Sequence, residues 1–343
     1  MSKNLRIFFG LILMLGSFPS MAQDPQFSQF YAAPLYLNPA LVGSSDQARV
    51  GLNYRNQWPS LDAKFVTTSA YFDYFFEDYN SGVGMIITSD REGLAGLRST
   101  SIGLQYAYQL RLTDKLSFRP GVQVAYIMRD INFDRLTFGD QYDETGFISP
   151  STAEGFNTGS GVNFADLSAG GILYSGKFWI GYSMFHMTEP NQSFIGEDSP
   201  LPRKSSVHGG YKISLAPKAS RGRGPMRAPS ERSITPTFQY KWQGDFDQLD
   251  AGVYFTFEPI VLGLWYRGIP FKTFEEFSNN ESAVFLIGIS SNNLNIGYSF
   301  DYTLSELGIG SGGAHEISIA YEFPLRSRKI PPKNVRLIPC PKF

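Results

Sequence analysis

From Ala48 onward, apolar positions alternate with small or polar ones in stretches of about eight to thirteen residues, and each stretch ends at a turn signal. Ile102, Leu104, Tyr106, Tyr108 and Leu110 share one parity, with Gly103, Gln105, Ala107 and Gln109 between them. Leu294, Ile296, Tyr298, Phe300 and Tyr302 repeat the arrangement, and Ile317, Ile319, Tyr321 and Phe323 close it. A period of two places neighbouring side chains on opposite faces of a strand. About fourteen such strands are predicted, over 48–56, 65–76, 81–89, 98–111, 116–129, 164–174, 178–186, 205–215, 233–242, 248–257, 260–267, 282–290, 293–302 and 314–324. Tight joins at Thr113-Asp114-Lys115, Ser175-Gly176, Glu258-Pro259 and Asn292-Asn293 alternate with longer ones at 90–97, 130–163, 187–204, 268–281 and 303–313.

Alternation alone fits two architectures. A soluble sandwich buries its apolar face, whereas a membrane barrel turns that face to lipid and keeps a polar lumen. Composition separates them. Aromatic residues make up 15% of the 343, and charged residues only 18%, below the roughly 25% of ordinary soluble domains. Lys3 and Arg6 precede an apolar run from Ile7 to Leu15, and Ser20-Met21-Ala22 supplies small residues for cleavage, the layout of an export signal. After it no apolar run approaches the ~18 residues of a spanning helix. The expected fold is therefore all-β, a transmembrane antiparallel β-barrel of about fourteen strands in the outer membrane. Short turns line the periplasmic rim and long loops the outer one, and an even strand count leaves both termini periplasmic.

Charge and chemistry narrow the function. The net charge of −1 argues against a nucleic-acid partner. His186, His208 and His315 are scattered and Cys340 is the only cysteine, so no disulfide, metal, cofactor or catalytic constellation is expected. Asp245-x-Asp247-x-x-Asp250 lacks a full calcium-loop pattern and reads as a solvated hairpin tip. Gly308-Ile309-Gly310-Ser311-Gly312-Gly313 precedes a strand and reads as a surface loop. Arg49, Arg55, Arg111, Arg119, Arg129, Lys241, Asp301, Glu316 and Glu322 fall at lumen or rim positions, because a charge facing lipid costs roughly 2–4 kcal/mol near the midplane.

Two segments on the short-turn side are basic: 216–232, with Arg221, Arg223 and Arg227, and the tail from 325, with Arg326, Arg328, Lys329, Lys333 and Arg336. The outer loop 130–163 is acidic by contrast. The asymmetry suggests a docking surface for an acidic periplasmic partner; a solvated linker or contact with anionic lipid headgroups is the plainer alternative. Cys340 could pair with a partner chain, or the tail could be recognised by shape, with Pro341 and Phe343 inserting into a partner.

Ahead of the first strand, residues 23–47 are aromatic and carry three prolines, which preclude a long helix or a central strand. Such a segment suits the barrel interior as a plug, with Asn38-Pro39-Ala40 as its anchor and Arg55 and Trp58 holding it near the rim. The chain thus divides into a signal peptide (1–22), a plug-like segment (23–47), a barrel (48–324) and a basic periplasmic tail (325–343). Gln23-Asp24-Pro25-Gln26-Phe27-Ser28-Gln29-Phe30-Tyr31, the Asn38-Pro39-Ala40-Leu41-Val42-Gly43 run, Tyr54-Arg55-Asn56-Gln57-Trp58 and the ending Ile338-Pro339-Cys340-Pro341-Lys342-Phe343 resemble the PorP/SprF family of the Bacteroidetes type IX secretion system. The resemblance implies a non-enzymatic outer-membrane component that works with periplasmic machinery and with secreted or surface cargo, such as a gliding adhesin. A passive or hydrophobic small-molecule transporter is the alternative.

Overall fold

The protein is described by a computed structural model covering residues 24–45, 47–133, 136–143, 146–152, 161–194, 196, 198–215, 231–274, 277–291, 293–305, 308–325 and 338–341. The signal peptide expected over 1–22 lies outside these residues, as do Arg221, Arg223, Arg227, Arg326, Arg328, Lys329, Lys333, Arg336 and Phe343.

Fourteen antiparallel strands form one closed barrel: β1 (Ala48–Gln57), β2 (Phe65–Phe76), β3 (Ser81–Glu92), β4 (Leu97–Tyr108, continued by Leu110–Arg111), β5 (Ser117–Asp130), β6 (Val162–Tyr174), β7 (Phe178–Phe185), β8 (Lys204–Tyr211, continued by Ile213–Ser214), β9 (Arg232–Gln243), β10 (Phe246–Phe257), β11 (Ile260–Phe274), β12 (Phe277–Ser291), β13 (Leu294–Thr303) and β14 (Ala314–Phe323). Every strand pairs with its neighbours in sequence. β1 closes the circle on β14, in register from Ala48 opposite Phe323 to Gln57 opposite Ala314. Closure leaves no free edge, which a spanning sheet requires where no water can satisfy its backbone.

The alternation read from the sequence has the polarity of a membrane barrel. Leu104 is 63% exposed and its neighbour Gln105 only 4%. Val50, Leu52 and Tyr54 face outward on β1, while Arg49, Asn53 and Arg55 are buried in the lumen. On these strands apolar side chains face outward and polar ones face the interior, as in a membrane barrel.

Two predicted loops are smaller than expected. β3 and β4 reach to within four residues of each other, so the join spans 93–96 rather than 90–97. The 268–281 loop is mostly strand: β11 extends to Phe274 and β12 starts at Phe277. Register shifts at Arg267/Gly268 and Ile269/Thr273 mark where this hairpin leaves regular pairing. A bulge breaks period-two patterning, so the extension was invisible to an argument from alternation. The acidic loop after β5 carries a small hairpin, Tyr142–Asp143 against Gly146–Phe147.

Candidate functional site

The lumen is filled by the segment before β1. Proline at its first turn permits one helical turn, α1 (Pro34–Leu37), and Pro39 stops it, because proline disfavours helical backbone in the preceding residue. Asn38 is accordingly extended, and its side-chain oxygen caps the following 3₁₀ turn by accepting from the Ala40 N–H at 2.9 Å. The Asn38 amide nitrogen donates outward to the carbonyls of Gly171 (3.3 Å) and Tyr182 (3.1 Å), tying the segment to β6 and β7. Gly43 ends the run at φ +65° against Gly82, a left-handed conformation that glycine adopts without steric cost. On the wall, a Cβ at Gly121 would sit 2.5 Å from the Ala40 nitrogen. The Asn-Pro-Ala-x-x-Gly motif is thus seated on glycine.

Charged groups clasp this plug at two levels. Toward the long-loop rim, the Arg55 guanidinium meets Asp301 at 2.9 Å and Glu316 at 3.3 Å. Glu316 accepts from the Ser28 and Gln29 N–H groups at 2.7 and 3.0 Å. The Ser28 hydroxyl donates to Asp301 (2.6 Å) and accepts from Arg55 (2.6 Å) and Arg267 (2.9 Å), which uses its whole hydrogen-bonding capacity. Arg267 also pairs with Asp250 and Asp301 at 2.6 and 2.9 Å. Toward the short-turn rim, Arg49 binds Asp73 through two parallel 2.9 Å bonds, and Asp73 accepts the Gly43 N–H at 2.7 Å. Arg119 donates to the Val42 and Gly43 carbonyls.

Segment 24–45 therefore runs the whole length of the barrel, and Asp24 lies at the rim opposite the start of β1. Burial pushes the Asp24 carboxyl up, but His186 (2.8 Å) and Lys204 (2.8 Å) outweigh it and hold the group well below its ordinary range. Burial likewise pushes His186 down, and Asp24 and Asp166 outweigh it, raising the imidazole to about 9. Two clefts flank the start of this segment and share Asp24, Pro25, Tyr36, Phe185 and Lys204 as their partition.

The sequence-predicted residues sort as follows. Asn38, Pro39, Ala40 and Gly43 sit together in the plug. Arg55 grips Ser28 rather than Asn-Pro-Ala, and Gln57 accepts from it at 3.1 Å. Trp58 follows β1 at φ 55°, packs edge-on against Phe65 at 5.4 Å, and lines a cleft with Gln26 and Arg55. Arg111 is on the short-turn rim, paired with Asp114. Of the three aspartates read as a solvated tip, Asp245 is in the turn, while Asp250 is buried at 2% exposure against Arg267; strand parity turned it inward. Among the described residues, no group of three or more His, Cys, Asp or Glu could hold a metal. Cys340 is half-buried inside the barrel against an apolar cluster that includes Ile338. Sequence reasoning passed over Ser28, Asp73, Arg267, His186 and Lys204. Inward parity was the available signal for Asp73, which is in phase with Ser69 and Tyr71.

Residues 20–321 match the family described as "Type IX secretion system membrane protein PorP/SprF". No curated protein matches the chain. Among solved structures, a monoaromatic hydrocarbon channel, a TodX deletion mutant, is similar at TM-score 0.46 and 12% identity, over 84% of this chain and 92% of that one. A Pseudomonas aeruginosa FadL homologue is similar at TM-score 0.43 and 11% identity, over 85% and 94%. The Acinetobacter baumannii outer membrane protein Omp33 is similar at 0.39 and 8%, over 82% and 100%.

Proposed function

Because the chain belongs to the PorP/SprF family of type IX secretion system membrane proteins, we propose that it serves secretion as a plugged, non-enzymatic docking barrel rather than as a conduit. The observation that carries this reading is the filled lumen. Segment 24–45 runs from rim to rim and is tied to the wall by Arg49, which donates to the Ser44 hydroxyl, and by Arg55, Arg119 and Asn38. A barrel whose lumen holds its own chain offers its two rims to partners. In this reading the short-turn rim faces the periplasm, and the basic stretches 216–232 and 325–337 meet acidic surfaces of the secretion machinery. The outer loops 130–163 and 187–204 meet cargo.

Mass spectrometry of secreted and surface proteins in a clean deletion strain tests this. Loss of many secreted proteins is expected of a general component, and loss of one large surface protein of a dedicated cargo partner. An unchanged proteome overturns the secretion role and favours a small-molecule transporter.

A further inference from the structure

We infer that the short-turn half of the lumen is a peptide-binding groove whose resident ligand is the chain's own C-terminal Ile338–Pro341. Most of the barrel's inner wall is polar, as a clasp for the plug requires. One arc is different. β6, β7 and β10 to β12 place Tyr174, Trp179, Tyr254, Val261, Trp265 and Leu286 inside, each under 5% exposed. Phe30 and Tyr31 of the plug cover part of this arc, and Tyr31 accepts the Trp179 indole N–H at 2.7 Å. Ile338 covers more: it is 4% exposed within the same cluster, with Cys340 packed against it.

The wall is shaped for flat rings. A Cβ at Gly263 would lie 2.0 Å from the Trp265 indole, and one at Gly210 2.6 Å from Trp179. Glycine lets both indoles fold against the sheet and leaves width for a further chain. The segment that fills this width is Ile-Pro-Cys-Pro. Its two prolines have no N–H to satisfy, and proline-rich segments dock in aromatic-lined grooves in known recognition modules. β14 ends at Phe323, and Ile338 lies inside the barrel. The groove concerns the purified barrel alone and does not rest on the secretion reading.

The test uses full-length barrel in detergent micelles. In the wild-type protein Cys340 is expected to react with a maleimide at least about tenfold more slowly than in urea. Ile338→Asp is expected to release the segment, exposing Cys340 and vacating the groove. A fluorescent peptide of residues 333–343 then binds the variant saturably but not the wild-type barrel, and the same peptide carrying Ile338→Asp binds at least about tenfold more weakly, as loss of one buried isoleucine implies. Equal maleimide rates in folded and unfolded wild type overturn the inference, whether or not the variant folds. So does a heat-modifiable variant that binds neither peptide, or both alike.

Discussion

Arg55 shows what one inward side chain does in a closed lumen. It is 3% exposed and faces Asp301, Glu316 and the Ser28 hydroxyl. Replacing a buried ion pair as a unit can be nearly neutral, but removing one partner strands the other's charge, at about 3–5 kcal/mol. Arg55→Met is therefore expected to lower the unfolding free energy of the refolded barrel, read by urea titration, by that order, and Arg55→Met with Glu316→Gln to recover part of it. His186 supplies a pH dependence. Its imidazole is raised from 6.5 to about 9, so its stabilising contribution is fully present below about pH 6.5 and is lost as pH rises through about 9. Asp24 is depressed, so its contribution is present above its ordinary carboxylate range and lost as pH falls through its lowered value. The rim tie thus holds across neutral pH and loosens on the alkaline side. Trp242 lines the cleft beside Asp24, and a wild-type fluorescence transition near pH 9, absent in His186→Gln, is the expected result.

The plug is the element whose fit depends most on small wall residues. Gly121 presses on Pro39 and Ala40, and Gly170 on the Asn38 side chain. Gly121→Val introduces atoms where the Ala40 backbone already lies, an overpacking expected to cost roughly 1–3 kcal/mol. Protease should then reach segment 24–45, and planar bilayers should show new conductance. Gly176→Ala, at a turn where a Cβ meets nothing within 4 Å, should behave as wild type. A variant Gly121→Val barrel that stays sealed and protease-resistant would mean the anchor lies elsewhere, with Arg49 and Arg119 the next residues to replace.

For the whole molecule, the decisive surface is the lipid face. Leu104 pairs with Met85 and Val124 midway along their strands. Leu104→Arg is expected to cost roughly 2–4 kcal/mol of barrel stability, and an arginine at an interface position such as Leu110 about 0–1. The ratio of heat-modified to unmodified bands on cold gels reads the difference directly. The strands themselves were legible in the sequence because lipid and lumen demand opposite chemistry at every second residue. The ends of β3 and β4 and most of the β11–β12 hairpin escaped, the latter where Gly268 and the shift beyond Ile269 break that period. The site was legible in part. Asn38-Pro39-Ala40 and Gly43 stood out by residue type, and Arg55 by its charge. Asp73 and Arg267 looked like any other polar residue in a strand.

The sequence by itself determined that this chain is a β-barrel with an apolar exterior, since period and composition are local properties of a strand facing two solvents. It also determined that something proline-broken and aromatic precedes that barrel. Only the tertiary structure decided where the plug goes and what holds it. Ser28 meets Asp301 and Arg267 across 273 and 239 residues of chain, and no short-range pattern encodes a contact made by closing a circle. The same closure brought Ile338 inside, beside Trp179 and Trp265. In the sequence that ending reads as a periplasmic tail offered to a partner, because the apolar arc that receives it is assembled from strands far apart in the chain.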